Sequence, residues 1–295
     1  MTSIVGGVNY NLLFGNGTAS AGPYATILST LNGGAAATPA LVSRSVAVST
    51  GNPLTDLKRA QRNQTAEVAR TAKDPMVARD IAAFKAGVAK AGGIDAALGN
   101  PAVLKVLLTA NNLGAQVHYT GLAKKVLLSD PADANGLARK IGNAAWLNAA
   151  KTYDFKQNGL TKLRDPAVVA TLTDAYAQVA WRQSLDKATP GLANALAFLQ
   201  QAHSAKTAYD ILGDPINRAV VTTALGIPRQ IAFQPLTAQE NAITARLDVK
   251  QLQDPKFVAN LTSRYLLARQ QDSQTANAGT ADVTTLSQQM RSLLV

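Results

Sequence analysis

"ALGNPAVLKVLLTANNLG", residues 97–114, returns later in the chain as "ILGDPINRAVVTTALGIP", residues 211–228. Both stretches write Leu-Gly-Asx-Pro and then an apolar-rich run. The Gly can close a helix in the left-handed conformation. The Asx side chain can cap the next helix, whose first position accepts Pro. Each stretch therefore predicts one helix ending and another beginning. The same Asx-Pro punctuation stands at Asn52, Asp74, Asn100, Asp130, Asp165, Asp214 and Asp254, and these residues are the expected helix caps. After Asp254-Pro255, Phe257, Val258, Leu261, Tyr265 and Leu266 recur at three- and four-residue intervals. After Asp165-Pro166, Val168, Val169, Leu172, Tyr176, Val179 and Ala180 do the same, which is the period of a helix with one apolar face. No stretch sustains strand alternation. The fold class is all-α.

Composition agrees. The chain has 295 residues, 47% of them hydrophobic and only 5% aromatic, which favours close helix packing through small side chains. It has no cysteine, so neither a disulfide framework nor a thiolate metal site is available, and two histidines leave little material for acid–base chemistry. No apolar run approaches the roughly 20 residues of a membrane span. The opening "MTSIVGGVNYNLLFGNG" lacks a basic start and an apolar h-region, so no Sec signal is expected. The net charge is +11, concentrated in the first half: residues 74–164 carry twelve Lys/Arg against six Asp/Glu. The pairs Lys124-Lys125 and Arg139-Lys140 read as solvated helix faces, and no dense basic stripe with interleaved aromatics points to nucleic acid.

The quoted pair extends backwards without a gap, "AAFKAGVAKAGGIDAALGNP" (82–101) over "LAFLQQAHSAKTAYDILGDP" (196–215). Phe84 falls on Phe198 and Leu98-Gly99 on Leu212-Gly213. Forwards, "LLSDPADANGLARKI" (127–141) resembles "QLQDPKFVANLTSRY" (251–265). Helix starts at 53, 75, 101 and 131 then pair with 166, 190, 215 and 255. This order points to an internal duplication. The expected division is an irregular N-terminal segment (1–51), helical unit A (52–150), a linker (151–164), helical unit B (165–270), and a polar linker with a terminal amphipathic helix (271–295). The alternative is one irregular bundle with repeated capping chemistry.

Catalytic patterns are absent from the sequence. Gly15, Gly17 and Gly22 do not follow a strand or precede Lys-Ser/Thr, and neither a Gly-x-Ser-x-Gly elbow nor His-Glu-x-x-His occurs. His118 and His203 occupy unrelated places in the two units. Glu occurs only at 67 and 240, and Trp146 and Trp181 are expected to fill core space. No catalytic residue, metal or cofactor is expected, and the chain reads as a non-enzyme. Residues expected to touch partners lie at the ends. Leu12, Leu13, Phe14, Tyr24 and Leu28 stand among glycines in a nearly uncharged segment, and Leu286, Met290, Leu293 and Leu294 share one side of a short helix.

The "MTSIVGG…NYNLLF" opening, "KDPMVARDIAAF", "ALGNPAVLKVLL", "ILGDPINRAVVTTALGIP" and "LQDPKFVANLTSRYLL" together resemble domain of unknown function 1217. The resemblance covers most of residues 1–270. It implies an alphaproteobacterial, flagellum-associated protein and brings no catalytic residues. The expected function is a structural or assembly role through protein contacts, with flagellar components or another copy of the chain as partners. Flagellar-type export, which needs no Sec signal, is compatible with it. The alternative is a cytoplasmic helical scaffold or regulator that binds an acidic partner through the basic first half, and a third reading, ranked below both, is an unrecognised enzyme.

Overall fold

The computed structural model describes residues 49–292, with side chains as far as residue 275. The helices are α1 (Pro53–Ala72), α2 (Pro75–Lys90), α3 (Ile94–Gly99), α4 (Pro101–Ala110), α5 (Thr120–Leu127), α6 (Leu137–Lys140), α7 (Ala144–Tyr153), α8 (Phe155–Asn158) and α9 (Thr161–Arg164). They continue with α10 (Pro166–Asp186), α11 (Leu192–Gln201), α12 (Ala208–Gly213), α13 (Pro215–Ala224), α14 (Leu236–Thr244) and α15 (Pro255–Ser292). Among the described residues there is no strand, so the body is all-α.

Capping chemistry explains most of the boundaries. Asn52, Asp74, Asn100, Asp165 and Asp214 each accept a hydrogen bond from the backbone two residues on, and each is followed by Pro at the first helical position. Asp254 accepts likewise from the Lys256 N–H at 2.9 Å. Asp130 departs from the expectation. Its carboxylate takes the Ala132 N–H, but no helix follows, and the chain turns at 131–136 before α6. Asp133, whose Oδ1 takes the Asn135 N–H, and Gly136, packed against the Asp130 carbonyl, build that turn instead. Pro190 also stands outside a helix. Gly191 (φ +91) precedes α11, and Asp186 supplies the cap by accepting from the Gly191 and Ala193 N–H groups.

Two hydrophobic cores form. The first gathers α2 to α5, α7, Phe155, Leu163 and the first half of α10 (Leu172, Tyr176, Ala177) around the fully buried Phe84. The second gathers α11 to α14 and α15 around Phe198, together with Leu57 and Ala60 of α1 and Trp181 of α10. Trp146 enters the first core and Trp181 the second, as expected of large apolar side chains. The cores do not follow the division read from the sequence: α1 places Leu57 and Ala60 in the second core and packs Val68 and Ala72 against the first, and α10 likewise serves both. Residues 151–164, expected as a linker, are helical in α7, α8 and α9. Residues 271–292, expected to begin with a linker, continue α15 without a break.

Elements of the two cores recur at one interval. α3 and α12 start and end 114 positions apart (94 and 208, 99 and 213), and so do α4 and α13 (101 and 215, 110 and 224). Past these helices, Asn112 (φ 59) and Gly226 (φ 62) share the left-handed conformation. The Leu113 N–H bonds the Leu108 carbonyl at 2.8 Å and the Ile227 N–H bonds the Thr222 carbonyl at 2.9 Å, so both helices end in the same six-residue closure.

The final helix pairing differs from the expected one. In residue pattern and contacts α15 matches α10, and not the segment at Asp130. "Leu163-Arg164-Asp165-Pro166" and "Leu252-Gln253-Asp254-Pro255" are each followed by Val, Leu-Thr and Tyr at equal spacing (Val169 and Val258, Leu172-Thr173 and Leu261-Thr262, Tyr176 and Tyr265). Their side chains repeat the same contacts. Arg164 Nη2 reaches the Ala91 carbonyl at 2.8 Å, and Gln253 Nε2 reaches the Ala205 carbonyl at 3.3 Å. Tyr176 donates to Asp80 of α2 at 2.6 Å, and Tyr265 meets Asn194 of α11 at 3.4 Å.

Candidate functional site

The second core leaves one face open to water. Between α13, the 3₁₀ segment Arg229–Phe233 and α14 lies a groove of about 190 Å³. Its floor is Leu212, Ile227 and Ile243, all buried, and its sides include Arg218, Thr222, Ile231 and Ala232. At the corresponding positions of the first core stand Leu98, Leu104, Leu108 and Leu113, where the second has Leu212, Arg218, Thr222 and Ile227. All four leucines are at most 2% exposed. Two positions that are apolar and buried in α4 are thus matched by polar residues in α13, where the face is open to water.

Next in the chain to the groove-lining Ala232, two large apolar side chains stand exposed among polar neighbours. Phe233 is 89% exposed and Leu236, one turn further, is 54% exposed. Tyr209 on α12 is also exposed and donates its hydroxyl to Glu240, four residues after Leu236 on α14. The Glu240 carboxylate bonded to that hydroxyl pushes the Tyr209 pKa up. A Phe side chain this exposed buries little of its own surface on folding, and large apolar side chains exposed near a groove are a common form of protein contact site.

The remaining polar clusters hold the body together. Asp56, 1% exposed, accepts from Thr189, Ser49, the Thr50 N–H and Arg59. Burial pushes its pKa up, but the hydrogen bonds outweigh burial and leave it below the usual carboxylate value. Asp80 accepts from Lys105 and Tyr176, each at 2.6 Å, and ties α4 and α10 to α2. Those bonds likewise outweigh burial at Asp80, while burial and the Asp80 bond raise the pKa of Tyr176. The corresponding Asn194–Tyr265 pair, without a charge, marks the position as structural.

A third cluster forms a seam between the cores. Arg182, 6% exposed, donates to Gln200 at 3.1 Å and to Asn112 at 3.4 Å. Asn112 donates to Gln201 at 3.1 Å, and Gln201 to Asp214 at 2.9 Å. This explains why the left-handed position after α4 is Asn whereas Gly226 serves after α13. Both tolerate the backbone, but only Asn carries an amide into the seam. Close backbone approach adds to it, since a Cβ on Gly213 would collide with the Gly142 carbonyl.

His118 and His203 are exposed and lie apart from these clusters. Among the described residues, no group of three His, Cys, Asp or Glu side chains is placed to hold a metal, and no helix is long and apolar enough to cross a membrane. The partner-docking residues expected from sequence fall elsewhere: Leu12, Leu13, Phe14, Tyr24, Leu28, Leu293 and Leu294 lie outside the described residues. Leu286 and Met290 lie on the backbone of α15 beyond the described side chains. Phe233 and its groove were missed. Their signal was an aromatic residue in the polar loop "PRQIAFQP", residues 228–235.

No curated protein matches the chain. The X-ray crystal structure of a protein from Agrobacterium tumefaciens shares the fold, with a TM-score of 0.63 over 73% of this chain and 92% of that one, at 23% identity. The family described as protein of unknown function (DUF1217) matches residues 110–258, from the end of α4 to the first turn of α15. That match takes in the seam, the groove and the exposed Phe233 over about half of the sequence, and the chain belongs to the DUF1217 family.

Proposed function

We propose that this protein is a non-enzymatic structural or assembly component of the bacterial flagellum that works through protein–protein contacts. The observation that carries the reading is the open face of the second core, where Phe233 and Leu236 stand exposed beside an apolar-floored groove. The flagellar context rests on the resemblance of the sequence segments to a family expected among alphaproteobacterial flagellar genes. In this reading the recurrent elements are two copies of one duplicated helical unit, the first closed and the second open. Superposing α2 to α4 with α10 on α11 to α13 with α15 tests that part, and helices that differ in order or direction would refute it. The N-terminal segment 1–51 acts as a further docking element.

The test of function is fractionation. Phe233→Ser in the host, with flagella and cytoplasm separated, is expected to leave the chain folded and abundant while reducing its recovery with flagella. Unchanged recovery refutes the role given to this face. A second reading is a scaffold that binds an acidic partner. It rests on Lys125, Arg139, Lys140 and Lys151, all exposed on successive helices α5, α6 and α7. It predicts cytoplasmic recovery that is sensitive to salt and indifferent to Phe233.

A further inference from the structure

We propose that Asn135 is a site of spontaneous deamidation and isoaspartate formation, and that this chemistry loosens α6. The proposal stands apart from the reading of the groove. Among the described residues two Asn-Gly pairs occur, Asn135-Gly136 and Asn158-Gly159. In such a pair the glycine nitrogen, next to a carbon that bears no Cβ, can attack the side-chain carbonyl of the asparagine. A bond forms between that nitrogen and Cγ, the Cγ–Nδ2 bond breaks, and ammonia leaves with the proton from the glycine nitrogen. Water then opens the succinimide ring at either carbonyl. One opening gives Asp, and the other gives isoaspartate, in which the main chain runs through Cβ and Cγ. Water is the only co-reactant.

Both asparagines are exposed, so tethering and not access tells them apart. Asn158 ends α8. Its side-chain amide donates to the Tyr153 and Asp154 carbonyls at 3.1 and 3.2 Å, and its backbone N–H to the Asp154 carbonyl at 2.8 Å. The Gly159 nitrogen donates to the Phe155 carbonyl at 3.0 Å. Bringing that nitrogen onto Cγ opens the side-chain bonds, the Gly159 bond and the helix end together. Asn135 stands in the turn before α6, and no described residue bonds its side-chain amide. Only the turn bond from the Gly136 N–H to the Asp133 carbonyl, at 3.0 Å, has to open. The fold also holds the reactive neighbour in place. A Cβ at position 136 would lie 2.6 Å from the Asp130 carbonyl oxygen, so the turn requires glycine there. The same fit leaves little room for isoaspartate, which lengthens the main chain just before Gly136. The Gly136 carbonyl accepts the Arg139 and Lys140 N–H groups at 3.0 and 3.1 Å, the first turn of α6. Ser129 holds the Ala138 N–H beside them at 3.2 Å.

Ageing the full chain at mildly alkaline pH, folded and in urea, followed by tryptic mass spectrometry, tests the proposal. Asn135 falls in the tryptic peptide 126–139 and Asn158 in 157–162. In urea both peptides are expected to gain the mass of an amide-to-carboxyl exchange at similar rates. In the folded chain, 126–139 is expected to convert about tenfold faster or more than 157–162, because several bonds must open together at Asn158. The converted peptide should resolve into two isomers, of which isoaspartyl methyltransferase labels one. Hydrogen exchange at the Arg139 and Lys140 amides is expected to accelerate in the aged native chain and not in aged Asn135→Gln. A folded chain whose 126–139 peptide converts no faster than 157–162 overturns the proposed site. Exchange in α6 that ageing leaves unchanged overturns the loosening.

Discussion

Removing the Asp214 carboxylate tests how the two cores are joined. Its Oδ1 accepts the Ile216 and Asn217 N–H groups at 2.9 and 2.8 Å, so it caps α13. It also accepts the Gln201 amide that continues the seam to Asn112 and Arg182. Loss of a cap costs about 0.5–2 kcal/mol. Leaving the Gln201 amide with only Asn217, at 3.5 Å, adds about 1 kcal/mol. Asp214→Ala is therefore expected to destabilise by about 2 kcal/mol, a fall of roughly 4–8 °C in Tm for a body of this size. Asp214→Asn keeps the capping oxygen, removes a charge whose burial pushes the pKa up, and is expected to cost much less. Urea titration followed by circular dichroism measures both. A midpoint unchanged in Asp214→Ala refutes the assignment of cap and seam, as does an Asn variant as unstable as the Ala variant.

The pH dependence has opposite signs at different carboxylates. Asp56 and Asp80 lie below their ordinary value near 3.8, so their stabilisation is present above that value and lost as pH falls through the folded pKa values. Asp214 lies above it, so acidification relieves its buried charge, and the native chain should gain on Asp214→Asn between pH 7 and pH 4 in the same titration. Gly226→Ala forces an L side chain to φ +62 and is expected to cost about 1–2 kcal/mol, whereas Asn112→Gly keeps the backbone relaxed and loses only the seam bonds. Thermal melts of the two variants separate strain from lost hydrogen bonding. Phe84→Ala and Phe198→Ala, each fully buried in a different core, are expected to cost about 3–5 kcal/mol apiece, measured by urea midpoints.

The all-α body and most helix starts were legible because Asx-Pro caps are local chemistry, settled within three residues. Asp130 shows the limit of that reading. The same dipeptide initiates a turn when Asp133 and Gly136 offer the backbone other partners. The pairing of α10 with α15 was written in the sequence as matching Leu, Asp-Pro, Val, Leu-Thr and Tyr positions. It was hidden by the longer connection between α5 and α10, which shifts the interval away from that of α4 and α13. The double service of α10 in two cores follows from long-range packing that periodicity does not record. The groove was illegible for a related reason. Arg218 and Thr222 look like ordinary polar helix residues until they are set beside Leu104 and Leu108, the buried residues at matching positions of α4.

The most direct test of the account is site-specific photocrosslinking from position 233. A benzophenone amino acid replaces Phe233 in the full chain expressed in its host, with the same group at exposed Lys187 as control. After irradiation, the account predicts a discrete protein adduct at 233 but not at 187, with peptide mapping placing the crosslink on one defined segment of a single partner protein. Position 233 yielding no adduct above the 187 control would contradict it.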